Sequence, residues 1–267
     1  MTKTVICHFY NEEFLLPWWL KHHKEIFDHG IMIDYASTDR SCELIARICP
    51  TWDIVPSRNK FFDGIPVDEE VMDYELTLHG WRMALNVTEF LVGNIDRLHN
   101  RNGEKTQHLI SNYVFVDMED ATKGSPILLH DIPLYQQRFW GYHDNMNTGQ
   151  VRSHGSHPRM NRSIHNFPIR YTGGRHFPNT DYSFDDLAIF YYGWVDINQG
   201  LKRKLQIKDK IGEDVGTVHH WNEEKFINMY RQDQQPLCED LSAKVAQLTS
   251  FQAMNELNKR PKTIYAL

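Results

Sequence analysis

Three clusters of polar side chains follow directly on apolar runs of the sequence. They are Asn11-Glu12-Glu13 after VICHFY, Asp34 to Asp39 after GIMI, and Asn86 to Glu89 after WRMAL. Carboxylates, carboxamides and hydroxyls of this kind accept the N–H and O–H donors of a polar ligand. Asn11 and the run Ser37-Thr38-Asp39 are also helix N-cap types, and a helix N-terminus favours a bound anion. Capping and ligand binding are compatible at such positions.

The intervening residues say how these clusters are held. Val5 to Tyr10 is an almost continuous apolar run, which predicts a strand buried on both faces. Phe14, Leu15, Trp18, Trp19, Ile26 and Phe27 then recur at helical spacing, with Gly30 predicted as the stop. Ile31-Met32-Ile33 predicts a second strand. Cys42, Leu44, Ile45 and Ile48 predict a second helix, ended by Pro50, and Trp52 to Val55 a third strand. Alternation of strand and helix predicts an α/β fold with a mostly parallel central sheet flanked by helices. In such sheets ligands sit beyond the carboxyl ends of the strands, where all three clusters fall.

Farther along, a helix is predicted over 67–79 and strands over 81–85, 113–117 and 188–194. Helices are predicted over about 196–211, 222–233 and 239–258. Residues 94–108 are polar and 141–180 lack periodicity, so both are predicted as loops. One domain over 1–267 is predicted. Its parts are an N-terminal half (1–93), a loop-rich middle (94–215) and a helical extension (216–267).

Net charge is −6 and the densest basic cluster is Lys202-Arg203-Lys204. That excludes nucleic acid as the main partner, because duplex binding requires a concentrated positive face. The four cysteines form no CxxC pair, and reduced thiols are predicted. No apolar run is long enough for a signal peptide or membrane span, which predicts a cytoplasmic protein with at most peripheral membrane contact.

The segments VICHFYNEEFLLPWWLKHH and GIMIDYASTDRSCELI resemble the start of family 2-type inverting glycosyltransferases. The branch in question carries NE…WL.HH, then IxDN.STDGT, then W…DxDEF, and has the GT-A fold. The resemblance implies transfer of a sugar from a nucleotide-diphosphate sugar to a glycan or lipid-linked acceptor. It places Tyr10, Asn11, Glu12, Asp34, Ser37, Asp39, Asn86, Thr88 and Glu89 against the nucleotide sugar. It also implies a general base, for which His176, Asp181, Asp185 and Asp186 are the candidates. Gln136, Gln137, Trp140 and His143 are candidates for the acceptor pocket.

The sequence departs from the family at the metal. Asn86 and Thr88 stand at the two DxD aspartate positions, although Glu89-Phe90 still matches the following pair. Hard divalent cations need anionic oxygens. Three readings follow: no required cofactor, with Arg170, Arg175, Lys202 or Lys204 neutralising the diphosphate; a Mn²⁺ or Mg²⁺ site displaced to Asp117 and Glu119; or a degenerate protein that binds nucleotide sugar or glycan without transfer.

Overall fold

The computed structural model describes residues 1–98, 105–119, 128–144, 162–171, 174–175, 186–211 and 221–259. It is a mixed α/β structure with two sheets.

The first sheet is built as the alternation predicts. β1 (Lys3–Phe9), β2 (His29–Asp34), β3 (Asp53–Pro56) and β4 (Trp81–Ala84) run parallel in the order β3-β2-β1-β4. Alternate residues of β1 face opposite ways. Val5, Cys7 and Phe9 pack in the large core with α1 (Leu16–His23) and α2 (Ser41–Ile48). Ile6, with Ile31, Ile33 and Ala84, packs under Val71 of α3 (Gly64–Thr77).

Four strands lie in or beside segments predicted as loops. β6 (Gln107–Ile110) and β9 (Arg162–His165) extend the first sheet antiparallel beyond β4. β7 (Asn112–Val116), β8 (Trp140–His143), β10 (Leu187–Trp194), β5 (Glu89–Gly93) and the short β11 (Glu239–Asp240) form a second, mixed sheet ordered β11-β8-β7-β10-β5. The missed strands are two to five residues long, β11 taking the start of the helix predicted over 239–258, and are too short for periodicity to show; partners far along the chain specify them. α4 (Ile197–Gln206), α5 (Glu223–Asn228) and α6 (Ser242–Lys259) complete the chain.

Gly30 corrects one expectation. It is not a helix stop but a buried residue of β2, where a Cβ would lie 2.2 Å from the Trp52 indole. Glycine is required there by close approach, not by backbone conformation. Among the described residues no helix is long and apolar enough to cross a membrane, and all four cysteines are free thiols.

Candidate functional site

A cavity of about 320 Å³ opens at the carboxyl ends of β1, β2 and β4. β1 supplies His8 and Phe9, and the loop after it Tyr10 and Glu12. Tyr35 follows β2; Asn86, Val87 and Thr88 follow β4. One face of α4 and the turn beyond it closes the other side with Arg203, Lys204, Ile207 and Lys210. These positions recur at helical spacing, which sets them on one face. Lys202 lies off that face and is exposed.

The first two loops are tied together beside this cavity. Asn11 adopts a left-handed backbone, φ 52°, which asparagine tolerates. Its Oδ1 accepts from the Thr38 N–H at 2.8 Å and the Asp39 N–H at 3.3 Å, so it does not cap a helix. α1 begins only at Leu16. The Asn11 N–H donates to Ser37 Oγ at 3.1 Å, and Asp34 Oδ1 accepts the Ser37 N–H at 2.9 Å. Asp39 takes the Ser41 N–H at 2.9 Å and the Glu13 N–H at 3.0 Å. α4 joins the same tie: Arg203 forks onto both oxygens of Glu12 at 2.6 Å, and Gln206 donates to the Asn11 carbonyl at 2.7 Å.

Beneath the cavity lies a buried charged layer. Glu89 is wholly buried and accepts twice from Arg162, at 2.6 and 2.9 Å, and from the Asn86 N–H at 2.7 Å. Burial pushes its carboxyl up, but Arg162 and these donors outweigh that and hold it below its ordinary value. Arg175 sits beside it at φ 58° after Gly174 at φ 82°. A left-handed arginine is strained, and such strain persists where surroundings fix it. Here Asp68 accepts both the Gly174 and Arg175 N–H groups, at 2.8 and 3.2 Å. The Arg175 guanidinium is thereby brought to Asn86, donating to its Oδ1 at 2.6 Å.

The residues at the corner where the sequence resemblance implies a metal do not fit a divalent cation. The Asn86 oxygen faces a guanidinium, Thr88 is neutral, and both Glu89 oxygens are held by Arg162. Among the described residues no three His, Cys, Asp or Glu side chains are placed to share a metal. Asp117 and Glu119 are engaged by other arginines: Arg138 reaches Asp117 at 2.5 Å and Arg231 reaches Glu119 at 2.7 Å.

Cations and rings share the cavity wall. Lys210 Nζ lies 4.8 Å from the Tyr10 ring centroid and Lys204 Nζ 5.0 Å from that of Trp221. Neither lysine forms an ion pair among the described residues. Burial and the neighbouring Arg203 pull Lys204 down to about 8.

The structure thus gathers Tyr10, Glu12, Asn86, Thr88, Arg175 and Lys204 around one cavity. It places Asn11, Asp34, Ser37 and Asp39 in the tie beside it and Glu89 beneath it. Other candidates lie elsewhere. Arg170 is exposed and lines a separate groove with Arg58 and Asp73. Gln136 is exposed, while Gln137 bridges Leu129 and Ile132. Trp140 and His143 sit on β8, with His143 stacked on Tyr113 at 4.5 Å. Asp186 precedes β10, roughly 16 Å along the strand from the cavity residue Tyr191. His176, Asp181 and Asp185 lie outside the described residues.

Sequence reasoning missed His8, Arg162, Arg203, Lys210 and the acids of α3. A signal existed for the last: Asp68 and Glu75 share a helix face with Val67 and Val71, where a solvated face would carry no valines. Lys210 could have been found from Arg203 and Ile207, which stand at i, i+4, i+7 with it.

No family model and no curated protein matches this chain. Comparison with solved structures finds loose, partial likenesses. S. aureus TarS 1–349 in complex with UDP-GlcNAc is 16% identical over 45% of this chain and 35% of that one, with a TM-score of 0.28. Glucosyl-3-phosphoglycerate synthase from Mycobacterium tuberculosis, in complex with Mn²⁺, UDP-glucose and phosphoglyceric acid, is 13% identical over 47% and 48%, with a TM-score of 0.32. A further structure of TarS 1–349 is 10% identical over 98% and 76%, with a TM-score of 0.35. The chain spans less than half the length of the first two.

Proposed function

We infer that the chain is a glycosyltransferase that holds a nucleotide-diphosphate sugar in the β1–β2–β4 cavity and transfers the sugar to a hydroxyl of a glycan or lipid-linked acceptor. The observation that carries this reading is the composition of the cavity: aromatic rings of Tyr10, Tyr35, Phe62 and Trp221 beside the cations Arg175, Lys204 and Lys210. Rings suit a base, and cations suit a diphosphate.

Inverting transfer fits this arrangement. The acceptor oxygen attacks the anomeric carbon, the bond from that carbon to the diphosphate oxygen breaks, and the acceptor proton passes to a base. His176, Asp181 and Asp185 remain the proposed bases; Asp186, just before the far end of β10, is too distant from the cavity to serve. Charge building on the departing diphosphate is met by Lys204, Lys210 and Arg175, without a metal ion. The alternative, a binding protein without turnover, rests on the same cavity and differs only in chemistry.

Thermal-shift titration with UDP, GDP and their sugar conjugates tests the reading. A raised melting temperature without added metal, with release of nucleoside diphosphate from the donor, supports the transferase. Stabilisation without release supports the binder. No stabilisation by any of these nucleotides would remove both.

A further inference from the structure

His8 lies on the face of β1 that carries Ile6, turned toward α3, and its side chain is nearly fully buried in the cavity wall. Its Nδ1 is 3.3 Å from Arg175 Nη1. A guanidinium offers only donors, so Nδ1 must be the acceptor and Nε2 must carry the proton. Nε2 faces the Glu70 carboxylate at 3.7 Å. Glu70 is itself fixed by Ser57 Oγ at 2.7 Å, the Arg58 N–H at 2.8 Å and Asn59 Nδ2 at 2.9 Å. The ring also packs on Tyr35, with centroids 5.6 Å apart. Burial, only partly opposed by Glu70, lowers the imidazole to about 4, so it is neutral at pH 7.

We propose that His8 is a positioning residue: its Nδ1 accepts from the Arg175 guanidinium and aims that group at a phosphate bound in the cavity, with the Nε2–H turned toward Glu70 but beyond hydrogen-bond distance of it. The reading rests on the proposed nucleotide-sugar function and deepens it. The choice of imidazole has a physical reason. Arg175 already pairs with Asp68 at 3.5 Å, so a carboxylate in place of His8 would add a second anion beside it, whereas a neutral acceptor orients the guanidinium without offsetting its charge further. Asn86 acts alike on Nη2 through a neutral oxygen. Asp68, 3.5 Å from Nη1, keeps its other oxygen on the Gly174 and Arg175 backbone. The Arg175 Nε–H has no partner among the described residues.

The test uses the full chain, with UDP, inorganic pyrophosphate and uridine as probes. His8→Asn keeps an acceptor at the Nδ1 position; His8→Leu does not. His8→Leu is expected to lose about tenfold or more in affinity for UDP and pyrophosphate while uridine binding is unchanged. His8→Asn is expected to restore most of that loss. Equal losses for uridine and pyrophosphate, or no loss in His8→Leu, would overturn the proposal. If the leucine variant does not fold, ¹⁵N chemical shifts of the wild-type ring decide: a proton on Nδ1 at pH 7 overturns it, and one on Nε2 supports it. Wild-type protein that binds pyrophosphate but no nucleotide would sink the nucleotide-sugar reading and leave this one standing. Failure to bind either anion would remove both.

Discussion

The Arg175 guanidinium donates to the Asn86 side-chain oxygen across 2.6 Å. A fixed cation therefore stands beside Asn86, the residue that the sequence resemblance aligns with the first aspartate of a DxD pair. Asn86→Asp is expected to add a second carboxylate to Arg175, which already pairs with Asp68 at 3.5 Å, and to lower UDP affinity about tenfold by further offsetting the charge that meets the diphosphate. It should create no dependence on Mn²⁺. Thermal shifts with UDP, with and without Mn²⁺, check this; a strong Mn²⁺ response in the variant would refute it.

Glu89 and Arg162 make the layer beneath the cavity, both almost wholly buried. Removing one partner leaves the other charged and unpaired. Arg162→Met is expected to cost about 3–5 kcal/mol of stability in urea denaturation. A loss under about 1 kcal/mol would mean that the pair is solvated.

Stability should fall on acidification from about pH 6.5 toward pH 4. His23 Nδ1 donates to the Trp19 carbonyl at 3.0 Å while its Nε2 accepts the Leu91 N–H at 3.1 Å, an arrangement open only to the neutral ring. His22 Nε2 lies 2.6 Å from the Leu91 carbonyl. Burial lowers both rings, His22 to about 4 and His23 well below its ordinary value, and lowers His8 to about 4 as well. The unfolded chain binds these protons first, so each drop in pH through this window favours unfolding. Melting temperatures recorded across it, with His22→Gln giving a shallower decline, check the assignment. A flat profile would contradict it.

Diphosphate binding should weaken as pH rises through about 8, where Lys204 loses its proton. Lys204→Arg keeps the charge and is expected to abolish this alkaline limb. Isothermal titration with UDP from pH 7 to 9 measures it; an unchanged limb in the variant would assign the effect elsewhere.

Much of the first sheet was legible because its signals are local. Apolar runs and helical spacing over 3–55 need only neighbours in sequence, and they placed β1, β2, α2 and β3 within a few residues. Asn11 and Gly30 were misread for one reason: each has a local role that its residue type suits and a tertiary role that overrides it. Asn11 bonds the Thr38 and Asp39 amides of another loop, and Gly30 admits the Trp52 ring.

By itself the sequence determined that Asn11, Asp34 and Asn86 would follow strands of a mostly parallel sheet, since the alternation of strand and helix follows from hydrophobic pattern; the strand order β3-β2-β1-β4 came from tertiary pairing. Only the tertiary structure decided which charges meet there. Glu89 finds Arg162 from 73 residues away, and Arg175 meets both Asn86 and His8 across 89 and 167 residues. Burial makes those pairings obligatory, because a desolvated charge must find a partner, and no local pattern records which partner the fold will bring.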